Sequence, residues 1–182
     1  CGEVRRDAPV ARDGILDLSD WDFERDGTVV LGGQWSFAWQ EFVEPMHIDA
    51  LREKHRGLIL VPGTWRGQPN PLNPDKVLLG TGYGTYVLEV RLPPGVPGEA
   101  LGFSMRTATS AATWDVYSED GTRLLGRINQ GTPGLDASTT IPLYSQSMTT
   151  LPIEAGGRVM IMIRVSNFHH ARGGVYYRPK IG

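Results

Sequence analysis

Arg158-Val-Met-Ile-Met-Ile-Arg-Val-Ser166 runs without a break into Asn167-Phe-His169-His170-Ala-Arg172-Gly173-Gly174-Val-Tyr176-Tyr177. Up to Ser166, the residues Val159, Ile161, Ile163 and Val165 alternate with Met160, Met162, Arg164 and Ser166. That period of two puts one set of side chains on a buried sheet face. From Asn167 onward, a pair of imidazoles, an amide, a guanidinium and a pair of tyrosines crowd together, and Gly173 and Gly174 permit close approaches that a β-carbon forbids. The pattern is that of a strand delivering a polar recognition loop to the rim of a β-sandwich.

The same alternation recurs along the chain. Tyr86, Leu88, Val90 and Leu92 alternate with Val87, Glu89 and Arg91 and stop at Pro93-Pro94, and Leu101, Phe103 and Met105 alternate next. Ile15 to Leu18 and Leu58 to Val61 are shorter strand candidates. Thr28 to Leu31 and Gln34 to Trp39 flank Gly32-Gly33, which predicts a hairpin; Trp114 to Ser118 and Thr122 to Gly126 flank Asp120-Gly121, the stronger hairpin signal. Weaker segments lie at Thr139 to Leu143 and Met148 to Ile153, and a last strand is expected from Val175 to Ile181. One helix is expected between Pro45 and Gly57, where Ile48 and Leu51 accompany Arg52, Glu53 and Lys54. About ten short, largely antiparallel strands predict an all-β fold, an antiparallel β-sandwich or jelly roll with one short helix. Residues 1–13, polar around Pro9, read as a flexible N-terminal arm, and 14–182 as a single domain.

Composition agrees. The chain has 182 residues, 40% hydrophobic and 21% charged, which suits one folded domain and argues against disorder. Its 23 glycines and 13 prolines favour strands and turns over a helical bundle. A net charge of −2 without a basic block argues against nucleic acid as a partner. No apolar run approaches the roughly 20 residues needed to cross a bilayer. The single cysteine, Cys1, leaves no internal disulfide. A start of Cys1-Gly2 matches a processed bacterial lipoprotein, whose first cysteine carries the lipid, and equally an arbitrary boundary of the chain.

Catalytic motifs fare poorly. Gly80-Thr-Gly82-Tyr-Gly84 precedes strand-like residues rather than a helix, so it reads as a tight loop and not a phosphate cradle. There is no Gly-x-Ser-x-Gly elbow and no Walker lysine motif, and Asp20, Asp22 and Glu24 read as solvated acids. His169 and His170, as neighbours in an extended segment, point to opposite faces and cannot easily share one ion; His47 and His55 lack a third ligand. Neither a metal nor a cofactor is implied.

Binding chemistry is better represented. Trp65 follows Pro62-Gly63-Thr64 and precedes Arg66-Gly67, a loop position from which an indole stacks on a sugar face, although burial beneath the loop explains it equally. Arg106 and Thr107 end a strand and offer donors to a carboxylate or a pair of hydroxyls, with a structural ion pair as the competing account. With Arg66, Asn167, His169, His170, Arg172 and Tyr176 they make up the candidate ligand-binding set, and Trp65, Arg106, His169, His170 and Arg172 are expected to meet on one rim.

The order Gly14-Ile-Leu-Asp-Leu, Leu31-Gly-Gly-Gln-Trp35-Ser-Phe, Val61-Pro-Gly-Thr-Trp65, Gly82-Tyr-Gly-Thr-Tyr86 and Val165-Ser-Asn-Phe-His-His-Ala-Arg-Gly-Gly174 resembles the extracellular domain of bacterial seven-transmembrane receptors with diverse intracellular signalling modules. The resemblance covers residues 14 to 182 and implies a galactose-binding-like jelly roll outside the cytoplasmic membrane, followed in the full-length protein by transmembrane and cytosolic signalling modules. Several of these segments are also similar to the sugar-binding jelly roll of family 2 glycoside hydrolases. The Phe168-His-His-Ala-Arg-Gly-Gly loop favours the receptor. The expectation is therefore a periplasmic or cell-surface sensor domain, without catalysis, for a small carbohydrate-like ligand. The alternative is a sugar-binding accessory domain of a secreted glycosidase.

Overall fold

Strand periodicity in the sequence becomes a two-layer sandwich. The computed structural model describes residues 6–47, 57–95, 101–106, 108, 110–143, 147–150 and 157–182. In chain order the elements are β1 (Ile15–Asp17), α1 (Phe23–Asp26), β2 (Val29–Val30), β3 (Gly33–Trp39), β4 (Leu58–Val61), β5 (Pro69–Asn70), β6 (Asn73–Val77), β7 (Gly82–Arg91), β8 (Gly102–Met105), β9 (Ala111–Ser118), β10 (Leu124–Gln130), β11 (Ser147–Thr150), β12 (Arg158–Asn167) and β13 (Lys180–Ile181). The large sheet is ordered β10-β9-β12-β7-β3-β4, and β1 runs parallel to the far half of β7. The small sheet is ordered β11-β8-β13-β2, and β5 and β6 form a separate ribbon.

The alternation along β12 sorts its side chains as expected. Val159, Ile161, Ile163 and Val165 join Trp35, Phe37, Tyr86, Leu88 and Trp114 of the large sheet and Phe103 of the small one in a single core. Burying each such side chain contributes roughly 1.5–3 kcal/mol. The opposite face is buried too: Met160 and Met162 pack with Ala38, Val43, Val87 and Tyr117 in a second cluster.

Several local expectations change. Gly32-Gly33 does not close a hairpin: β2 pairs with β13 in the small sheet and β3 with β4 and β7 in the large one, so the glycines carry the chain between layers. Asp120-Gly121 does turn β9 into β10, which runs further than expected and carries a bulge between Leu124 and Gly126. The glycine run at 80–84 is half strand. Gly82 and Gly84 lie in β7 at positions that only glycine fits, since β-carbons there would strike Trp39 and Phe37 of the neighbouring strand. The last strand shortens to β13, and of the 139–143 segment only Ile141 pairs, as an isolated bridge to Thr132. Of the expected helix, Pro45–His47 is a single 3-10 turn and residues 48–56 lie outside the described set. A one-turn helix forms instead at α1, capped by the Asp22 carboxylate, which accepts from the amides of Glu24 and Arg25. Residues 1–5, Cys1 included, are outside the described set, but the arm is drawn in at Ala11, which is buried and exchanges backbone hydrogen bonds with Gly32 and Gln34.

Candidate functional site

Strand register brings several loops to one end of the sandwich. Ser166 near the end of β12 pairs with Ala111 at the start of β9 and with Tyr83 near the start of β7, and β3 reaches the same end at Trp39, opposite Gly84. The connection from β8 into β9, which carries Arg106, and the segment following Asn167 therefore leave from a common rim.

On this rim the 167–174 segment is held by a hydrogen-bonded latch. Asn167, wholly buried, donates from Nδ2 to the carbonyls of Gly80 (2.8 Å) and His170 (2.9 Å), and its Oδ1 accepts from the His170 amide (3.1 Å). Trp65 Nε1 donates to the same Gly80 carbonyl at 2.9 Å, so both lone pairs of that oxygen are used. Backbone bonds from Trp65 to Gly173 and from Gly63 to Val175 complete the clasp. Gly173 is required here, because a β-carbon would overlap the Trp65 indole.

The latch decides the roles of several candidate residues. Trp65 has 0% exposure and packs edge-on to Trp39, ring centroids 5.1 Å apart, so burial holds and the exposed stacking ring does not. Asn167 is likewise internal, its amide spent on the loop backbone. His169, His170 and Arg172 stand exposed on the outside of the latch, and Arg66 is exposed beside Trp65. Thr107 lies outside the described residues.

Arg106 and Tyr176 do meet. With Ser104, Tyr177, Arg178 and Lys180 they line a cleft of about 490 Å³ where β8 and β13 reach the rim. The Arg106 guanidinium lies over the Tyr177 ring, 5.9 Å from its centre, and the rings of Tyr176 and Tyr177 are 4.8 Å apart. Tyr177, Arg178 and Lys180 are not among the residues expected at the site. Their signal in the sequence is a pair of aromatics and alternating cations leading into the final strand, with Lys180 opposite Ser104 in register.

A second cleft of about 620 Å³ opens at this end between Gln40, Phe42 and Tyr83 on one side and Pro133, Leu135 and Asp136 on the other. The Phe42 and Tyr83 rings are 5.1 Å apart, and Gln40 adopts a left-handed φ of 55°. Asp136 is occupied within its own loop: hydrogen bonds from Ser138 and Thr139 hold its carboxyl below the usual range.

No family model matches the sequence, and no curated protein matches it. Among solved structures the chain is similar to the β-glucuronidase of Bacteroides uniformis, with 15% identity and a TM-score of 0.57 over 85% of this chain and 17% of that one. It is similar also to the Faecalibacterium prausnitzii β-glucuronidase, with 13% identity and a TM-score of 0.55 over 85% of this chain and 31% of that one. A glycosyl hydrolase family 2 member from Bacteroides cellulosilyticus gives 16% identity and 0.54 over 85% and 20%. The chain thus spans between 17% and 31% of the length of these proteins. At such identities the likeness is one of fold, and the fold of this chain is the β-sandwich found within family 2 glycosidases.

Proposed function

We propose that this chain is a non-catalytic ligand-binding domain acting outside the cytoplasmic membrane, and that it serves as the sensor of a membrane signalling receptor for a small carbohydrate-like molecule. The observation that carries the binding role is the meeting of Arg106 and Tyr176 in one rim cleft beside Tyr177. Tyrosine rings and forked donors suit a ligand with apolar ring faces and many hydroxyls. The receptor context rests on the Asn167-to-Gly174 loop and the ordered segments before it. No bond is broken: a ligand signals by favouring one arrangement of the rim over another, and by no more than its difference in affinity for the two. The similarity to glycosidase domains favours a second reading, an accessory domain of a secreted glycosidase, which uses the same cleft.

Amide chemical-shift mapping of the chain with a panel of monosaccharides tests the binding role. The expected result is saturable shifts centred on Ser104, Tyr176 and Tyr177, weakened by roughly 1–3 kcal/mol in Arg106→Ala. Shifts confined to other surfaces, or none, would remove the cleft. The full-length gene product separates the two contexts, since seven apolar spans support the receptor and a barrel domain supports the glycosidase.

A further inference from the structure

The rim cleft has a sign. Arg106, Arg178 and Lys180 all line it, and among the described residues no aspartate or glutamate does. None of the three cations takes part in an ion pair among the described residues; Arg106 lies over the Tyr177 ring. The other arginines of the sheets behave differently. Arg127 and Arg164 are matched to Asp115, and Arg91 and Arg158 to Glu89. Among the described residues, a chain of net charge −2 thus leaves three neighbouring cations without an acidic partner in the cleft that Tyr176 and Tyr177 also line. Like charges gathered in a concave site raise the local potential, and an anion entering it relieves their repulsion. The guanidinium forks pair two-pronged with carboxylate or phosphate oxygens, whereas the lysine acts as a point charge.

Resting on the reading that this cleft is the ligand site, we propose that its ligand is an acidic sugar: a hydroxylated ring bearing an anionic oxygen group, carboxylate or phosphate. Arg178 and Lys180 neutralise the anionic group. Arg106, stiffened by its stack on Tyr177, turns its donors toward the same oxygens, and Tyr176 and Ser104 face the ring and its hydroxyls. Neutral sugars lack the partner that the three cations demand.

The test is calorimetric titration of the chain with glucuronate, glucose 6-phosphate, glucose and inorganic phosphate, and sedimentation with phosphatidylglycerol vesicles. One or both acidic sugars are expected to bind at least about tenfold more tightly than glucose, with affinity falling as salt rises. A tenfold or greater loss is expected in Arg178→Gln and Lys180→Gln, exposed positions whose thermal melts report that the fold is kept. Comparing the two acidic sugars identifies the anionic group. Equal affinity for glucose and the acidic sugars, unaffected by salt and by both variants, overturns the charge assignment and leaves a sugar site intact. Inorganic phosphate binding as tightly as the acidic sugars overturns the role of the ring. Vesicle binding that the variants abolish, without sugar binding, makes the cluster a lipid-facing patch and overturns the proposal. Silence from every sugar removes both the proposal and the reading beneath it.

Discussion

Asn167 is the residue on which the rim depends. Its amide is buried, makes three hydrogen bonds to backbone groups, and shares the Gly80 carbonyl with the Trp65 indole. Truncation to alanine leaves the His170 amide and carbonyl without their partner, so Asn167→Ala is expected to destabilise the fold by about 2–3 kcal/mol in urea denaturation. Asn167→Asp, which replaces the donating amide with an acceptor, is expected to cost at least as much. A loss below about 0.5 kcal/mol in both would mean that water replaces the latch. The sequence marked Asn167 as chemically important but not as internal, because spacing reports which residues a strand delivers and not which way the chain folds back afterwards. Trp65 was ambiguous for the same reason. Whether its indole faces solvent is decided by Gly173, distant in sequence, which leaves room for the ring to lie beneath the loop.

Strands β9, β10 and β12 are cross-linked on their outer face by one carboxylate. Asp115, with 0% exposure, accepts from Arg127 at 2.6 and 3.0 Å, from Arg164 at 2.9 Å and from the Tyr117 hydroxyl at 3.0 Å. Burial, followed by this carboxylate, pushes the Tyr117 hydroxyl above its usual range. Removing the shared acceptor strands two guanidiniums, one of them mostly covered, so Asp115→Ala is expected to cost about 3 kcal/mol with an unchanged denaturant slope. An undiminished midpoint would show that the arginines reach solvent instead. Strands such as β12 and β7 were legible because a period of two is a local property of the chain. The partition of β2 and β3 between two sheets was not, since Gly32-Gly33 looks alike in a hairpin and in a crossing between layers. α1 was readable in principle from Asp22 and Gly27, its two caps, although the run between them is too short to show a helical period.

The response of the whole molecule to acid follows from aspartates at the ends of short elements and in the turns between strands. Asp17, Asp26, Asp120 and Asp136 are held below the usual 3.8 by hydrogen bonds, from Ser19, Arg25, Ser118 and Ser138 respectively; for Asp120 the value falls to about 2. A carboxyl whose folded pKa is depressed stabilises the fold fully above its unfolded value and loses that contribution as pH falls through the folded one. Melting temperature is therefore expected to decline between about pH 4 and about pH 2, and to decline less steeply in Asp120→Asn. A melting temperature that holds or rises across this window would contradict the assignment. These side chains stiffen the connections between strands, and the sandwich core supplies the larger share of stability.

All five tryptophans are enclosed, and Trp65 and Trp39 touch edge to face at 77° directly beneath the segment that bears His169, His170 and Arg172. Two indoles in such contact couple their electronic transitions, so their near-ultraviolet dichroism depends on mutual orientation. Because Gly173 lies against the Trp65 ring, a displacement of that segment is expected to change the angle between the two rings and with it this signal. The chain therefore carries a built-in optical gauge of its own rim, readable in solution without a label.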